Sequence, residues 1–179
     1  KIVFQTRKAE EIVTSVRSYA KEQKLKKSPL SVNEVVTEAV KDFTSTLQDY
    51  PLQIEFEEDP RSPICSLAPL EFELAVFNLL KNAKEALKAQ KADEPKLFIK
   101  LSSSETHCFV DISDNGAVIS DSDFERMGSV FKSGKASGLG IGLSIVRSIV
   151  QNHNGSLVLE RGKNGGLVCR IRLPILNTE

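Results

Sequence analysis

The period of the apolar residues switches between helical and strand-like values along the chain, and this pattern constrains the fold more than any other sequence feature. The capping box Ser31-Val-Asn-Glu34 and Pro69 each open a helical stretch, while Leu52–Glu57 alternates as a half-buried strand. The predicted order is helix, strand, helix, two strands, helix and two strands, at about 31–48, 52–57, 70–90, 97–101, 108–112, 141–152, 156–161 and 167–173. This order predicts an α+β fold with a mixed, largely antiparallel sheet and helices on one face.

A separate helix is predicted for residues 1–27. Ile2, Ala9 and Val16 recur every seven positions, and Ile12 and Tyr19 form a second line beside them. A single apolar stripe needs a partner, which is either the rest of this chain or another helix. A charged break at 24–29 separates this helix from the domain predicted for residues 28–179.

Two glycine-bearing segments stand where the backbone could approach a ligand closely. Asp114-Asn-Gly116 follows a predicted strand, and its carboxylate can accept a hydrogen bond from an amine, although these three residues equally suit a tight turn. Gly138-Leu-Gly-Ile-Gly142 opens a predicted helix, where backbone N–H groups can surround phosphates. Residues 128–137 between them are rich in glycine, serine and lysine, which predicts a mobile loop.

An asparagine pair lies upstream, on the predicted helix at 70–90. Asn78 and Asn82 are four residues apart, so both amides project from one face of that helix. One buried asparagine is usually a hydrogen-bonded core residue. Two on one face, beside an apolar stripe, are more often a site, and their oxygens suit Mg²⁺.

Together these motifs resemble the N, G1, F and G2 boxes of the histidine-kinase ATP-binding domain, a fold shared with DNA gyrase, the heat-shock chaperone ATPases and MutL. The boxes correspond to Asn78–Asn82, Asp114–Gly116, Phe131 and Gly138–Gly142, and the similarity runs from about 31 to 174. The resemblance implies a two-layer α/β sandwich of the histidine-kinase/gyrase ATPase type. It also implies that residues 1–27 are the second helix of a dimerisation bundle.

The resemblance implies ATP and Mg²⁺ as ligands. In the family, the positions of Asn78 and Asn82 coordinate Mg²⁺ and the phosphates, and the position of Asp114 binds the adenine amine. A lid at about 128–140 would add Phe131 and one lysine, Lys135 or its alternative Lys132, to neutralise phosphate charge. The expected ATP-binding positions are Asn78, Asn82, Asp114, Gly116, Ile119, Phe131, Lys135, Gly138, Gly140, Gly142 and Leu143.

Two features depart from the family pattern, and a third position distinguishes its branches. Val118 stands where a second glycine is usual, and Leu167-Val-Cys169 lacks the threonine that relatives often carry beneath the adenine. Asn78 stands where the gyrase and chaperone relatives have a glutamate that activates water, and an amide cannot act as a general base. The last difference favours a kinase over a dedicated ATPase.

The implied activity is that of the catalytic region of a sensor histidine kinase. It would present the γ-phosphate of ATP to a histidine that this chain lacks, for transfer to the aspartate of a response-regulator receiver domain, and the intact protein would be a homodimer through its helix bundle. His107 and His153 do not fit the phosphoacceptor motif, so structural roles are expected, with His153 complementing a helix C-terminal dipole. An anti-sigma-type protein serine kinase, or a degenerate nucleotide-binding or scaffold module, stays open.

Composition argues against other classes. Twenty-four basic residues balance 24 acidic ones, so no overall charge attracts nucleic acid. No apolar run approaches the ~20 residues of a membrane span, so no membrane contact is expected in this segment, although the intact protein could be anchored elsewhere. Cys65, Cys108 and Cys169 are widely spaced in apolar contexts and are expected to be buried, reduced thiols of a cytoplasmic protein.

Overall fold

The computed structural model describes residues 26–47, 50–125, 127, 140–163 and 165–176. The elements in chain order are β1 Ser28–Ser31, α1 Val32–Ser45, β2 Gln53–Glu57, β3 Ile64–Leu67, α2 Pro69–Ala89, β4 Lys96–Ser103, β5 His107–Asp114, α3 Gly140–Asn152, β6 Ser156–Arg161 and β7 Leu167–Pro174. Residues 121–125 are also helical. The predicted helix at 1–27 lies outside the described residues except for its last two positions, which are not helical.

The main sheet has five strands in the order β2-β4-β5-β7-β6. The β2–β4 pair is parallel and the other pairs of this sheet are antiparallel, so the predicted mixed, largely antiparallel sheet is confirmed. Alternate residues of β5 are buried, namely Cys108, Val110, Ile112 and Asp114. The row of side chains that faces the helices therefore ends, at the last residue of the strand, in a carboxylate.

The opposite face of this sheet is polar and carries cross-strand ion pairs. Lys100 Nζ lies 2.8 Å from Glu57 Oε1, and Arg170 binds both carboxylate oxygens of Asp111 at 2.7 Å. Paired charges of this kind suit a surface in contact with water. The predicted arrangement, with helices on one face only, is confirmed.

The helices begin and end where local chemistry dictates. Ser31 Oγ accepts the N–H of Glu34 at the start of α1, and proline occupies the first turn of α2. The first helix ends at Ser45, three residues short of its predicted end near 48. The face that α2 buries consists of Phe72, Ala75, Val76, Leu79, Leu80 and Leu87.

The two-stranded sheet of β1 and β3 differs from the prediction, which places a charged break at 24–29 and a loop between 57 and 69. Both strands have four residues, and Pro29 lies within β1. Runs this short carry almost no periodic signal. They pair with each other in register, Leu30 opposite Cys65, and this pairing stabilises them.

The histidine at the end of α3 has the predicted structural role, but as a neutral ring. His153 Nδ1 lies 2.7 Å from the carbonyl oxygen of Ile149, which can only accept, so Nδ1 carries the proton. Nε2 accepts the backbone N–H of Ala68 at 3.0 Å and is therefore unprotonated. Burial lowers the pKa of His153, in agreement with this neutral tautomer.

All three cysteines are free and buried, as predicted. Burial raises the pKa of Cys169 to about 12, so the thiol stays protonated and unreactive. Among the described helices, none is both long and apolar enough to cross a membrane.

Candidate functional site

Asp114 provides a buried carboxylate at the end of β5. Its side chain is only 7% exposed. Oδ1 accepts the N–H of Gly116 at 2.9 Å, and Oδ2 accepts the N–H of Leu167 at 3.2 Å. Burial raises the pKa of Asp114, while these two hydrogen bonds act in the opposite direction. Each oxygen keeps one further lone pair, so the group can still accept a hydrogen bond from a ligand.

Asn115 explains why the turn after Asp114 is well defined. Its Oδ1 accepts the N–H of Lys96, and its Nδ2 donates to the carbonyl of Glu94, both at 2.8 Å. The side chain thus joins the turn to the start of β4. The predicted turn role of the Asp-Asn-Gly sequence is therefore compatible with its predicted ligand role, because Asn115 makes the turn contacts while Asp114 stays in the buried row.

Val118 fits this loop without the glycine that is usual in relatives. The described non-glycine residues with positive φ are Ser62, Lys91 and Asn154, so the backbone at Val118 does not need glycine. Its side chain is 82% exposed and points away from the packed interior. The extra bulk is therefore accommodated at the surface.

The turn between β6 and β7 packs directly on the loop after Asp114. A Cβ on Gly166, where φ is +72°, would lie 2.0 Å from the carbonyl oxygen of Asp114. A Cβ on Gly165, where φ is +107°, would lie 2.4 Å from the carbonyl oxygen of Gly116. Gly166 also donates its N–H to Ala117 at 3.0 Å. Both glycines are needed for conformation and for close approach, a role that the sequence around them does not predict.

The asparagine pair on α2 and the glycine segment at the start of α3 meet between these two helices. A Cβ on Gly142 would lie 3.2 Å from both Nδ2 and Oδ1 of Asn82. The amide of Asn82 therefore rests against the backbone of α3, and a side chain at position 142 would press on it. Its buried Nδ2 has no hydrogen-bond partner among the described residues. A buried donor without a partner is costly, so this amide suits a ligand that brings an acceptor.

Asn78 lies on the same helix face, one turn earlier, but is differently engaged. Its Nδ2 donates to the carbonyl of Leu74 at 2.7 Å, within its own helix. The amide oxygen remains the atom that can face a ligand. The pair therefore offers unequal groups, an oxygen from Asn78 and a whole amide from Asn82.

The structure says less about the other residues that are expected to bind the ligand. Ile119 and Leu143 are half-buried, and Gly140 is the first residue of α3. Phe131, Lys135 and Gly138, with the alternative Lys132 and most of the expected lid at 128–140, lie outside the described residues. The donor set fits Mg-ATP in chemistry: a buried carboxylate for an amine, and amides for phosphate and metal.

An acidic cleft elsewhere does not fit a nucleotide. It measures about 500 Å³ and lies between the first turns of α1 and residues 58–62. Its lining includes Glu34, Glu38, Glu58 and Asp59 and no basic residue. These charges would repel phosphates. Over the described residues, no cluster of three or more His, Cys, Asp or Glu could hold a metal ion.

Comparison with known proteins gives this arrangement a family context. The chain is 27% identical over 175 residues to the C4-dicarboxylate transport sensor protein DctS of Rhodobacter capsulatus, which covers 98% of this chain and 27% of that protein. This chain spans about a third or less of the length of the first sensor-protein relatives that it matches.

Solved structures share the fold. The nucleotide-free catalytic domain of histidine kinase ThkA superposes with a TM-score of 0.69 at 24% identity, over 83% of this chain and 95% of that one. ThkA in complex with response regulator protein TrrA superposes with a TM-score of 0.75 at 22% identity, over 98% of this chain and 49% of that one.

The sequence profile of one family covers most of the structure just described. The match runs over residues 68–177 and includes α2, the loop after Asp114, α3 and the last two strands. These are the elements that bring Asn82, Gly142 and Asp114 into place. The chain therefore belongs to the histidine kinase-, DNA gyrase B- and HSP90-like ATPase family.

Proposed function

We propose that this chain is the ATP-binding catalytic region of a sensor histidine kinase, which holds ATP while its γ-phosphate passes to a histidine outside the chain. The observation that carries the proposal is the amide of Asn82, which packs against Gly142 and has a buried Nδ2 that is unpaired among the described residues. A phosphate oxygen would supply the missing acceptor. The sensor-protein relatives favour this reading over a serine kinase of the same fold.

Different residues would bind different parts of the ligand. Asp114 would accept a hydrogen bond from the exocyclic amine of the base, because its buried carboxylate keeps free lone pairs beside the Gly116 backbone. Asn82 would bind phosphate through Nδ2 and, together with the oxygen of Asn78, would be placed to hold Mg²⁺. Bound Mg²⁺ would supply positive charge that offsets the phosphates.

The asparagines also bear on the type of reaction. The Asn78 amide can neither accept a proton nor release one at neutral pH, and its nitrogen is already bonded to Leu74. No group at this position would therefore activate water. Slow hydrolysis would leave ATP available for a protein acceptor, as a kinase requires.

Two partners belong to the proposal. The intact protein would be a homodimer through the predicted helix at residues 1–27, and the receiver domain of a response regulator would take the phosphate onto an aspartate. ThkA, which shares the fold, has been solved together with the response regulator TrrA. The boundaries at 1–27 and 28–179, the lid at 128–140 and a cytoplasmic location remain predictions.

Asp114→Asn tests the base-binding role, and Asp111→Asn is its matched control. Both residues lie on β5, but Asp111 faces the outer surface and binds Arg170. Asp114→Asn should weaken Mg-ADP binding by about tenfold or more, since a hydrogen bond to a charged group contributes about 1.5–3 kcal/mol. Asp111→Asn should leave calorimetric affinity unchanged. Equal affinity of Asp114→Asn and the unmodified chain would refute the assignment, and a chain that binds no ADP would instead be an empty scaffold.

A further inference from the structure

The C-terminal end of α2 is held in a fixed shape at Gln90. The N–H of Lys91 bonds to the carbonyl of Lys88, and that of Ala92 bonds to the carbonyl of Leu87, both at 3.2 Å. This pair of bonds is a Schellman motif, and it places Lys91 in the left-handed region at φ 52°. The motif needs no side chain from Gln90. That side chain is therefore free for another partner.

Gln90 uses its side chain to hold the loop that follows Asp114. Its Oε1 accepts the N–H of Ala117 at 2.6 Å, across 27 positions of sequence. A Cβ on Gly116 would lie 2.6 Å from this oxygen and 2.6 Å from Asp114 Oδ1. The glutamine amide and the aspartate carboxylate thus both lie beside the position that a Cβ of Gly116 would occupy. On the other side of the loop, Gly166 donates to the carbonyl of Ala117.

We propose that Gln90 is a positioning residue for the base-binding part of the site, an inference that rests on the proposed function. By holding the N–H of Ala117, it fixes Gly116 and Asp114 in the geometry that receives the base before any nucleotide arrives. Preorganisation of this kind raises affinity by lowering the ordering cost of binding. No contact between Gln90 and the nucleotide is required.

The same helix then sets the distance between the two ends of the site. Asn82 and Gln90 are eight positions apart on α2 and its C-cap. This separation corresponds to about 12 Å along a helix axis. A rigid helix would thus carry the phosphate-binding amide at one point and the anchor of the base-binding loop at another.

The test compares Gln90→Met with Gln90→Glu and with the control Lys88→Met, in the chain of residues 1–179. Methionine keeps the length of glutamine but cannot accept the Ala117 N–H well, whereas a glutamate oxygen can. Lys88 is exposed in the last turn of the same helix. Binding of ADP, adenosine and inorganic tripolyphosphate would be measured by calorimetry, and the Ala117 amide would be followed by NMR.

Gln90→Met should weaken ADP and adenosine binding about fivefold, the effect of one neutral hydrogen bond, and should leave tripolyphosphate binding unchanged. It should also shift the Ala117 amide resonance and speed its hydrogen exchange. Gln90→Glu should keep the slow hydrogen exchange of the Ala117 amide, and Lys88→Met should change neither exchange nor affinity. Exchange, rather than affinity, is the measure of the glutamate variant, because its added charge lies beside Asp114. A purely structural role would weaken all three ligands alike or none.

Three results would count against the inference. Unchanged ADP affinity in Gln90→Met would overturn it, as would an equal loss of tripolyphosphate binding or an unmoved Ala117 resonance. In each of these cases ADP binding by the unmodified chain would leave the proposed function standing. If the unmodified chain bound neither ADP nor tripolyphosphate, the proposed nucleotide site would fail, and this role of Gln90 would fail with it.

Discussion

Replacing Gly142 by alanine should separate the stability of the fold from the affinity for nucleotide. The new Cβ would lie 3.2 Å from both polar atoms of the Asn82 amide, so the amide must move by a few tenths of an ångström. Alanine favours a helix over glycine by about 1 kcal/mol. Forcing a side chain off its rotamer costs about 0.5–1.5 kcal/mol. The two effects nearly cancel, and the free energy of unfolding should change by no more than about 0.5 kcal/mol.

Nothing in the substitution of Gly142 would offset its effect on nucleotide binding. A displaced Asn82 amide would lose its alignment with the phosphates, and a hydrogen bond to a charged group contributes about 1.5–3 kcal/mol. Gly142→Ala should therefore weaken Mg-ADP binding by about tenfold or more.

Urea unfolding and calorimetry measure the two quantities on the same protein. Ser148→Ala is the matched control, because Ser148 is exposed on α3 and gains only helix propensity. Wild-type affinity in Gly142→Ala would refute the placing of Asn82 in the site. If the free energy of unfolding without nucleotide fell by more than about 2 kcal/mol, the Asn82 amide could not move aside at the small cost assumed here.

Further predictions concern the loops and the buried histidine. Gly166→Ala should reduce the free energy of unfolding by about 2 kcal/mol or more, because φ is +72° and the new Cβ would lie 2.0 Å from the Asp114 carbonyl oxygen; urea unfolding that shows no loss would contradict the turn geometry. Lys91→Gly should stabilise the chain by about 0.5–1 kcal/mol, since Lys91 sits at φ 52°, and a lower melting temperature would count against it. Burial lowers the folded-state pKa of His153, so protonation favours the unfolded chain and this contribution to stability declines as pH falls below about 6.5. His153→Asn should flatten the measured pH dependence in that range.

Features that depend on nearby residues could be predicted from the sequence. Helical spacing predicts that Asn78 and Asn82 share one helix face, and the Asp-Asn-Gly sequence after an alternating strand predicts a turn at Asp114. Such features depend on neighbours a few positions away, which the sequence displays directly. The order of the main-sheet strands and helices could be predicted for the same reason. The ligand roles of Asn78, Asn82 and Asp114 came from the family resemblance and remain predictions.

Contacts between distant segments could not be predicted in this way. Gln90 bonds to Ala117 across 27 positions, and Gly166 packs on Asp114 only because β7 pairs with β5. Nothing near Gln90 in sequence distinguishes it from an ordinary exposed residue at a helix end. The short strands β1 and β3 could not be predicted for a similar reason, since their partners lie far away in sequence.

The protonation state of His153 illustrates a further limit. A histidine at a helix end is commonly a cation that interacts with the helix dipole. Here the N–H of Ala68 occupies Nε2, and that donor comes from 85 positions away. The charge of a side chain can therefore depend on a contact that no local pattern reveals.

The position of β3 has a consequence for how the chain can be rewired. On one side β3 pairs with β1. On its other side Cys65 forms a backbone β-bridge with Ile175, and the N–H of Leu176 donates to the carbonyl of Ile64 at 2.8 Å. The segments that enter and leave the domain are therefore separated by one strand, or about 10 Å. A short peptide could join them, and the exposed turn at 104–106 offers a place to reopen the chain. The domain should thus tolerate circular permutation, with Asp114, Asn82 and Gly142 keeping their positions in space.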